Sequence, residues 1–184
     1  MIIYTKLLGL LSLLFMLSGC TKYYILSTAS QPTEHYHKKH RIIGVEKVLV
    51  PKYLYKREIA VAKSSSEVSF LGSAVWAEDL DQGLTQRLIA FLQKKFNQPN
   101  VYAYPWGLDK NPTIKVKVQI TRFIFQGNKV YLEANWRVIH MQTNLQKARL
   151  FTTVIASKDD AQSIVATMDK AFGALEEAIA QGIK

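Results

Sequence analysis

The sequence predicts an α+β fold, a two-layer sandwich with a mixed, mostly antiparallel sheet and two helices packed on one of its faces. Three observations predict it. Ile114 to Phe125 and Val130 to His140 alternate apolar and polar residues, the period of strands with one buried face. A third strand, Ala148 to Ser157, follows them and completes a meander. Two other segments switch to helical spacing with a single apolar stripe each, so each needs a sheet to cover that stripe.

From the amino terminus, Met1 to Lys6 is short with one positive charge, and Leu7 to Leu17 is almost wholly apolar. The apolar run is too short to span a bilayer and reads as a cleaved signal peptide over residues 1–19. It ends in Leu17-Ser18-Gly19-Cys20, small residues directly ahead of the only cysteine, which matches the bacterial lipobox. Small side chains let the extended backbone enter a peptidase cleft, and the Cys20 thiol takes a diacylglyceryl group. The plainer alternatives are an ordinary signal that happens to hold a cysteine, or an uncleaved N-terminal anchor. On the lipobox reading the mature chain begins at Cys20, and more than one acyl chain, palmitate among them, makes anchoring to a phospholipid membrane stable. No thiol then remains for a disulfide, a metal site or a nucleophile. Thr21, and not aspartate, in the second mature position predicts sorting to the periplasmic face of the outer membrane.

Residues 20–41 read as the lipidated N-terminus and a tether. Ser27 to His40 has no apolar period and holds Gln31-Pro32-Thr33-Glu34, then His35-Tyr36-His37-Lys38-Lys39-His40. The spacing of His35, His37 and His40 fits no fixed-geometry metal site, so no metal is expected. A basic, histidine-bearing collar is expected to rest on anionic headgroups, more tightly as the imidazoles charge. The formal net charge of +10 favours anionic partners. For an exported chain these are a lipid surface or an acidic protein and not nucleic acid, with simple solubility as the competing explanation.

Residues 42–184 are expected to form one domain around a single core. Ile42 to Val50 is β-branched and ends at Pro51. Strands Glu58 to Ala62 and Glu67 to Leu71 flank the turn Lys63-Ser64-Ser65-Ser66. Trp76 to Phe96 is predicted as a helix with Trp76, Leu80, Leu84, Leu88, Phe91 and Leu92 on one stripe. Glu78, Asp79 and Asp81 at its start and Lys94 and Lys95 at its end complement the helix dipole, and Asn97 and Pro99 stop it. A short strand, Val101 to Tyr104, leads into Pro105-Trp106-Gly107.

In Ile114 to Phe125 the alternation slips at Arg122. A bulge would realign it; otherwise Arg122 points inward and needs a carboxylate, or both faces are partly covered there. Val130, Leu132, Ala134, Trp136 and Val138 share a face. The last helix is expected to open at Ser157 to Asp160, a capping-box pattern, with Ile164, Val165, Met168, Ala171, Phe172, Leu175 and Ile179 as its stripe. Strand order does not follow from these patterns.

Catalytic chemistry is nearly absent from the sequence. It has no G-x-S-x-G elbow, no phosphate-cradling glycine loop and no paired-histidine metal motif, so neither an enzyme nor a cofactor is expected. His140 ends a strand and reads as a half-exposed strand residue. Glu78 and Asp79 are adjacent carboxylates, but adjacent helix positions point about 100° apart and do not face a common substrate. Trp76, Trp106 and Trp136 could form an aromatic binding surface, against the commoner use of large aromatics as core.

Taken in order, the motifs resemble a known family. They are Tyr23-Tyr24-Ile25-Leu26, Ile43-Gly44-Val45 with Val48 before Pro51, Tyr53-Leu54, Arg57, Trp76-Ala77-Glu78-Asp79-Leu80, Pro105-Trp106, Arg122-Phe123 and Leu132-x-Ala134-x-Trp136. This set, behind a lipobox, is similar to the ABC-type transport auxiliary lipoproteins, the paraquat-inducible protein C group. The likeness covers essentially the whole mature chain. Two departures are the histidine- and lysine-rich tether and Asp79, which stands where the family pattern has proline. The resemblance implies an outer-membrane lipoprotein that docks the periplasmic component of an MCE-type lipid transporter. Its partners would then be an MCE-domain protein and an ABC permease with its ATPase. It also implies Trp76, Glu78, Trp106, Arg122 and Trp136 as partner or lipid contacts. Lipid binding within the domain and homo-oligomerisation stay open. The alternative is a structural or assembly lipoprotein of another outer-membrane complex.

Overall fold

The computed structural model describes residues 21–26, 31–36, 41–105 and 111–184. In chain order its elements are β1 (Lys22–Tyr24), β2 (Ile43–Glu46), a 3-10 turn (Lys52–Tyr55), β3 (Glu58–Ala62), β4 (Val68–Trp76), α1 (Leu80–Phe96), β5 (Val101–Tyr104), β6 (Ile114–Gln126), β7 (Lys129–His140), β8 (Gln146–Ala156) and α2 (Ala161–Ile183). The α+β architecture is the expected one, with eight strands in one mixed sheet among the described residues.

The alternating segments set the frame. β7 runs antiparallel to β6 from Ile114↔His140 to Gln126↔Lys129, and β8 runs antiparallel to β7. Gly127 and Asn128, both at positive φ, form the two-residue hairpin turn between β6 and β7, a geometry that favours Gly and Asn. Ile114, Val116, Val118 and Ile120 of β6 and Val130, Leu132, Ala134, Trp136 and Val138 of β7 are buried on one face. α2 packs across β7 and β8 there, and α1 packs beside it on β2 and β5. Lys115, Lys117, Gln119, Asn135 and Arg137 point to the other side.

The second edge of β6 is shared end to end. β2 pairs parallel with its start (Ile43↔Ile114), and β3 pairs parallel with its far end through Val61↔Phe125. β5 extends the sheet beyond β2, and β4 and then β1 extend it beyond β3.

Four expectations are corrected. Strand β2 covers only Ile43–Glu46 of the anticipated Ile42 to Val50. Strand β4 runs on to Trp76, so Trp76 closes a strand and α1 begins at Leu80. Trp76 keeps helical phase with Leu80 and Leu84 in sequence, which hid the boundary. α2 begins at Ala161, capped by the Asp160 carboxylate accepting from the Ser163 amide at 2.8 Å, and not at Ser157. β1 and the 3-10 turn had no counterpart in the sequence reading. Asn97 ends α1 in the left-handed region, with its amide donating to Lys94 O and the Gln98 amide to Gln93 O, the paired bonds of a Schellman stop.

Between the helices Arg87 is buried. It donates to the Glu176 carboxylate at 3.3 Å, to the Asp169 carbonyl at 3.0 Å and to the Asp169 carboxylate, and it lies over the Phe172 ring. Buried Lys95 holds Glu177 at 2.6 Å. Residues 31–36, read as tether, lie against this helix pair. The Thr33 amide donates to Glu177, the Tyr36 amide to Lys95 O, and His35 Nδ1 to Lys94 O.

Candidate functional site

The slip in the β6 alternation marks the most distinctive surface feature. Register shifts between Ile120 and Arg122, so a bulge at Thr121 restores Phe123 and Phe125 to the buried face and leaves Arg122 on the outer one. Arg122 stands opposite Glu133, donates to its carboxylate at 3.3 Å and to Gln126 Oε1 at 2.6 Å, and stacks 4.0 Å from the centre of the Tyr131 ring. Of the alternatives open from sequence the bulge is the one realised, and Arg122 finds the Glu133 carboxylate on the half-exposed side of the sheet.

A cleft of about 410 Å³ opens beside this guanidinium, lined among others by Tyr53, Ser64, Ser65, Val68, Thr121 and Glu133. Its floor is held by the 3-10 turn, where the Tyr53 hydroxyl accepts from the Phe123 amide at 3.1 Å. Burial raises the Tyr53 hydroxyl above its ordinary value, against the opposing pull of that bond and of Arg122, so it stays neutral at physiological pH. The cleft offers the Arg122 guanidinium with its Glu133 counter-charge, several hydroxyls and apolar walls. A second cavity of about 510 Å³ lies next to it on the far side of Ala62, walled by Phe70, Leu71, Phe125 and Asn128.

The other residues singled out from sequence do not gather at this cleft. Trp76 and Trp136 are buried in the core. Trp136 packs against α2, where a β-carbon added at Gly182 would come within 2.5 Å of the indole. Glu78 and Asp79 are exposed just before α1, and Asp79 supplies the helix's first carbonyl acceptor without a side-chain cap. Glu78 folds over Gly83 instead. Trp106, His37, His40 and Cys20 lie outside the described residues. Among the described residues no three His, Cys, Asp or Glu side chains come together as a metal site. No helix among them is long and apolar enough to cross a membrane. The sequence reading missed Tyr53 and the Ser64–Ser65 wall, because nothing local brings residue 53 to residue 123.

A family model for the ABC-type transport auxiliary lipoprotein component matches residues 24–180, nearly all of the folded chain. The chain belongs to the ABC-type transport auxiliary lipoprotein family. The intermembrane transport lipoprotein PqiC of Escherichia coli K12 is 26% identical over 175 residues, spanning 91% of this chain and 92% of its own. PqiC of Shigella flexneri matches to the same extent. Two crystal structures share the fold. Protein XCC0632 from Xanthomonas campestris superposes with a TM-score of 0.75 at 16% identity, covering 89% of this chain and 94% of that one. An uncharacterized protein superposes with a TM-score of 0.74 at 22% identity, covering 90% and 99%. The family is an auxiliary transport lipoprotein family and not a known enzyme class, and as a lipoprotein family it is membrane-associated.

Proposed function

We propose that this auxiliary lipoprotein is secreted, cleaved after Gly19 and lipidated on Cys20, and that it works from the periplasmic face of the outer membrane. There it docks the MCE-domain conduit of an ABC-driven lipid transporter, with the permease and ATPase at the other end. It acts by binding and positioning, without catalysis of its own. The observation that carries this reading is the family match over residues 24–180 directly behind Leu17-Ser18-Gly19-Cys20.

The Arg122 cleft is the lipid or partner contact in this reading. Its guanidinium and hydroxyls meet a polar head, and Val68 and Ile124 meet an acyl chain. Glu78 and Trp106 are assigned to the partner surface, whereas Trp76 and Trp136 support the domain from within. Affinity isolation of the lipidated chain from detergent-solubilised envelopes tests the reading. Recovery of an MCE-domain protein and ABC components is expected; their absence, under conditions that recover a control complex, would sink it. Mass spectrometry of lipid carried by the same preparation, with Arg122→Ala alongside, tests the cleft, and equal lipid on both would remove it.

A further inference from the structure

The chain enters the sheet almost at once. Thr21 is followed by β1, whose Lys22, Tyr23 and Tyr24 pair in parallel with Ala74, Val75 and Trp76 of β4. The Ala77 amide donates to Tyr24 O at 2.8 Å and locks the far end of this ladder. Only Thr21 therefore separates Cys20 from hydrogen-bonded structure. At 3.8 Å between consecutive Cα atoms, the Cα of Cys20 is at most about 7.6 Å from that of Lys22. A lipid on Cys20 leaves the domain no slack with which to stand off from the bilayer.

The direction of entry is also fixed. Because β1 is parallel to β4, the chain ahead of Lys22 arrives from the side of the β3–β4 hairpin. Along that side Val68 to Ser73 of β4 have no β1 partner among the described residues. Large apolar side chains are exposed along this edge: Tyr23 at 66%, Ile25 at 54%, Phe70 at 42% and Val68 at 40%. Val68 and Phe70 share one face of β4, as do Tyr23 and Ile25 of their own extended segment. Lys22 and Lys63 flank them, both exposed, while Glu67 on the hairpin turn offsets part of the charge. Seating on this edge thus draws more on apolar burial than on charge, with aromatic rings at the depth they favour in an interface.

We propose that the β1–β4 edge is the membrane-contacting surface of the protein, with Tyr23, Ile25, Val68 and Phe70 seated at the headgroup level of a phospholipid bilayer. This rests on the reading that Cys20 is lipidated. It replaces a domain swinging on a tether with one laid against the membrane in a single orientation. It also brings the hairpin wall of the Arg122 cleft, Ser64, Ser65 and Val68, beside the headgroups.

The test uses the lipidated full chain in vesicles of phosphatidylethanolamine and phosphatidylglycerol. Cys20 is the only native cysteine, so Val68→Cys, Phe70→Cys and a control at the opposite end of the sheet, Leu145→Cys, each take one fluorophore. Tyr23→Cys supplies a position on β1 should either hairpin variant fail to fold. Labels at 68, 70 and 23 are expected to be quenched by brominated lipid and shielded severalfold from aqueous iodide relative to 145. The mass of the N-terminal peptide reports lipidation separately. An unmodified Cys20 would overturn the anchor and this surface together. A lipidated chain whose labels at 68, 70 and 23 meet iodide as freely as 145 would overturn this surface alone.

Discussion

The Arg87 guanidinium lies 3.3 Å from the Glu176 carboxylate, with both side chains buried between α1 and α2. Two charges removed from water hold each other only while both are present, so the pair is expected to be asymmetric to mutation. Glu176→Leu leaves Arg87 underpaired and should lower the unfolding free energy by about 3–5 kcal/mol. Adding Arg87→Met should restore most of that loss, because apolar isosteres avoid the desolvation cost. Urea denaturation of the two single variants and the double variant reads the coupling directly; additive losses would contradict it.

Acid should loosen the N-terminal segment at a defined place. Burial raises the Glu177 carboxyl, but the Lys95 and Thr33 bonds outweigh it and hold the group below the usual 4.5. A depressed folded value means the stabilisation is whole above about pH 4.5 and is lost as pH falls through the folded value. The denaturation midpoint should therefore fall as pH drops below about 4.5, and Glu177→Gln should flatten that slope. An unchanged slope in the variant would dissociate Glu177 from the effect.

Gly182 is required by the ring it faces. A β-carbon there would stand 2.5 Å from two carbons of Trp136. Gly182→Ala should destabilise by about 1–3 kcal/mol despite alanine's better helix propensity. Trp136→Phe, which shortens the ring system, should relieve the added methyl. Thermal melts of the four combinations check this, and a neutral Gly182→Ala would show that the helix end shifts freely.

On the proposed reading Cys20→Ser removes the acceptor for lipid. The variant is expected to keep the wild-type circular dichroism and melting temperature while failing to float with membranes. Flotation equal to wild type would remove Cys20 as the anchor.

Glu78→Gln with Asp79→Asn should leave the circular dichroism and melting temperature unchanged, since both carboxylates are exposed and Asp79 makes no side-chain cap on α1. The double variant should lower recovery of the partner that Glu78 is proposed to meet. Recovery of the partner equal to wild type would remove Glu78 from that surface.

Much of the fold is legible because it rests on local periodicity. The Val116–Val118–Ile120 and Leu132–Ala134–Trp136 alternations dictate buried faces, and the break at Arg122 marks an irregularity whose form, a bulge, only the pairing decides. What escapes is set by distance along the chain. Val61 meets Phe125, and Ile43 meets both Val101 and Ile114, through pairings that no local pattern encodes. Three-residue β1 is too short to show a period, and Trp76 sits in phase with the following helix by coincidence of spacing. The cleft was half visible. Arg122 betrays itself as a charge in an apolar run, but Tyr53 and the serine wall reach it only through the folded hairpin.

The shared edge of β6 has a mechanical consequence. Any pull between a lipid at Cys20 and a partner held elsewhere on the domain would load β1 against β4 along the strand axis, in shear. From β4 it would pass to β3 and into β6 chiefly at the Val61–Phe125 bridge, with the Tyr53–Phe123 bond beside it. The three-pair β1–β4 ladder and that narrow junction stand in series, so the load falls on them and not on the broad β6–β7 ladder.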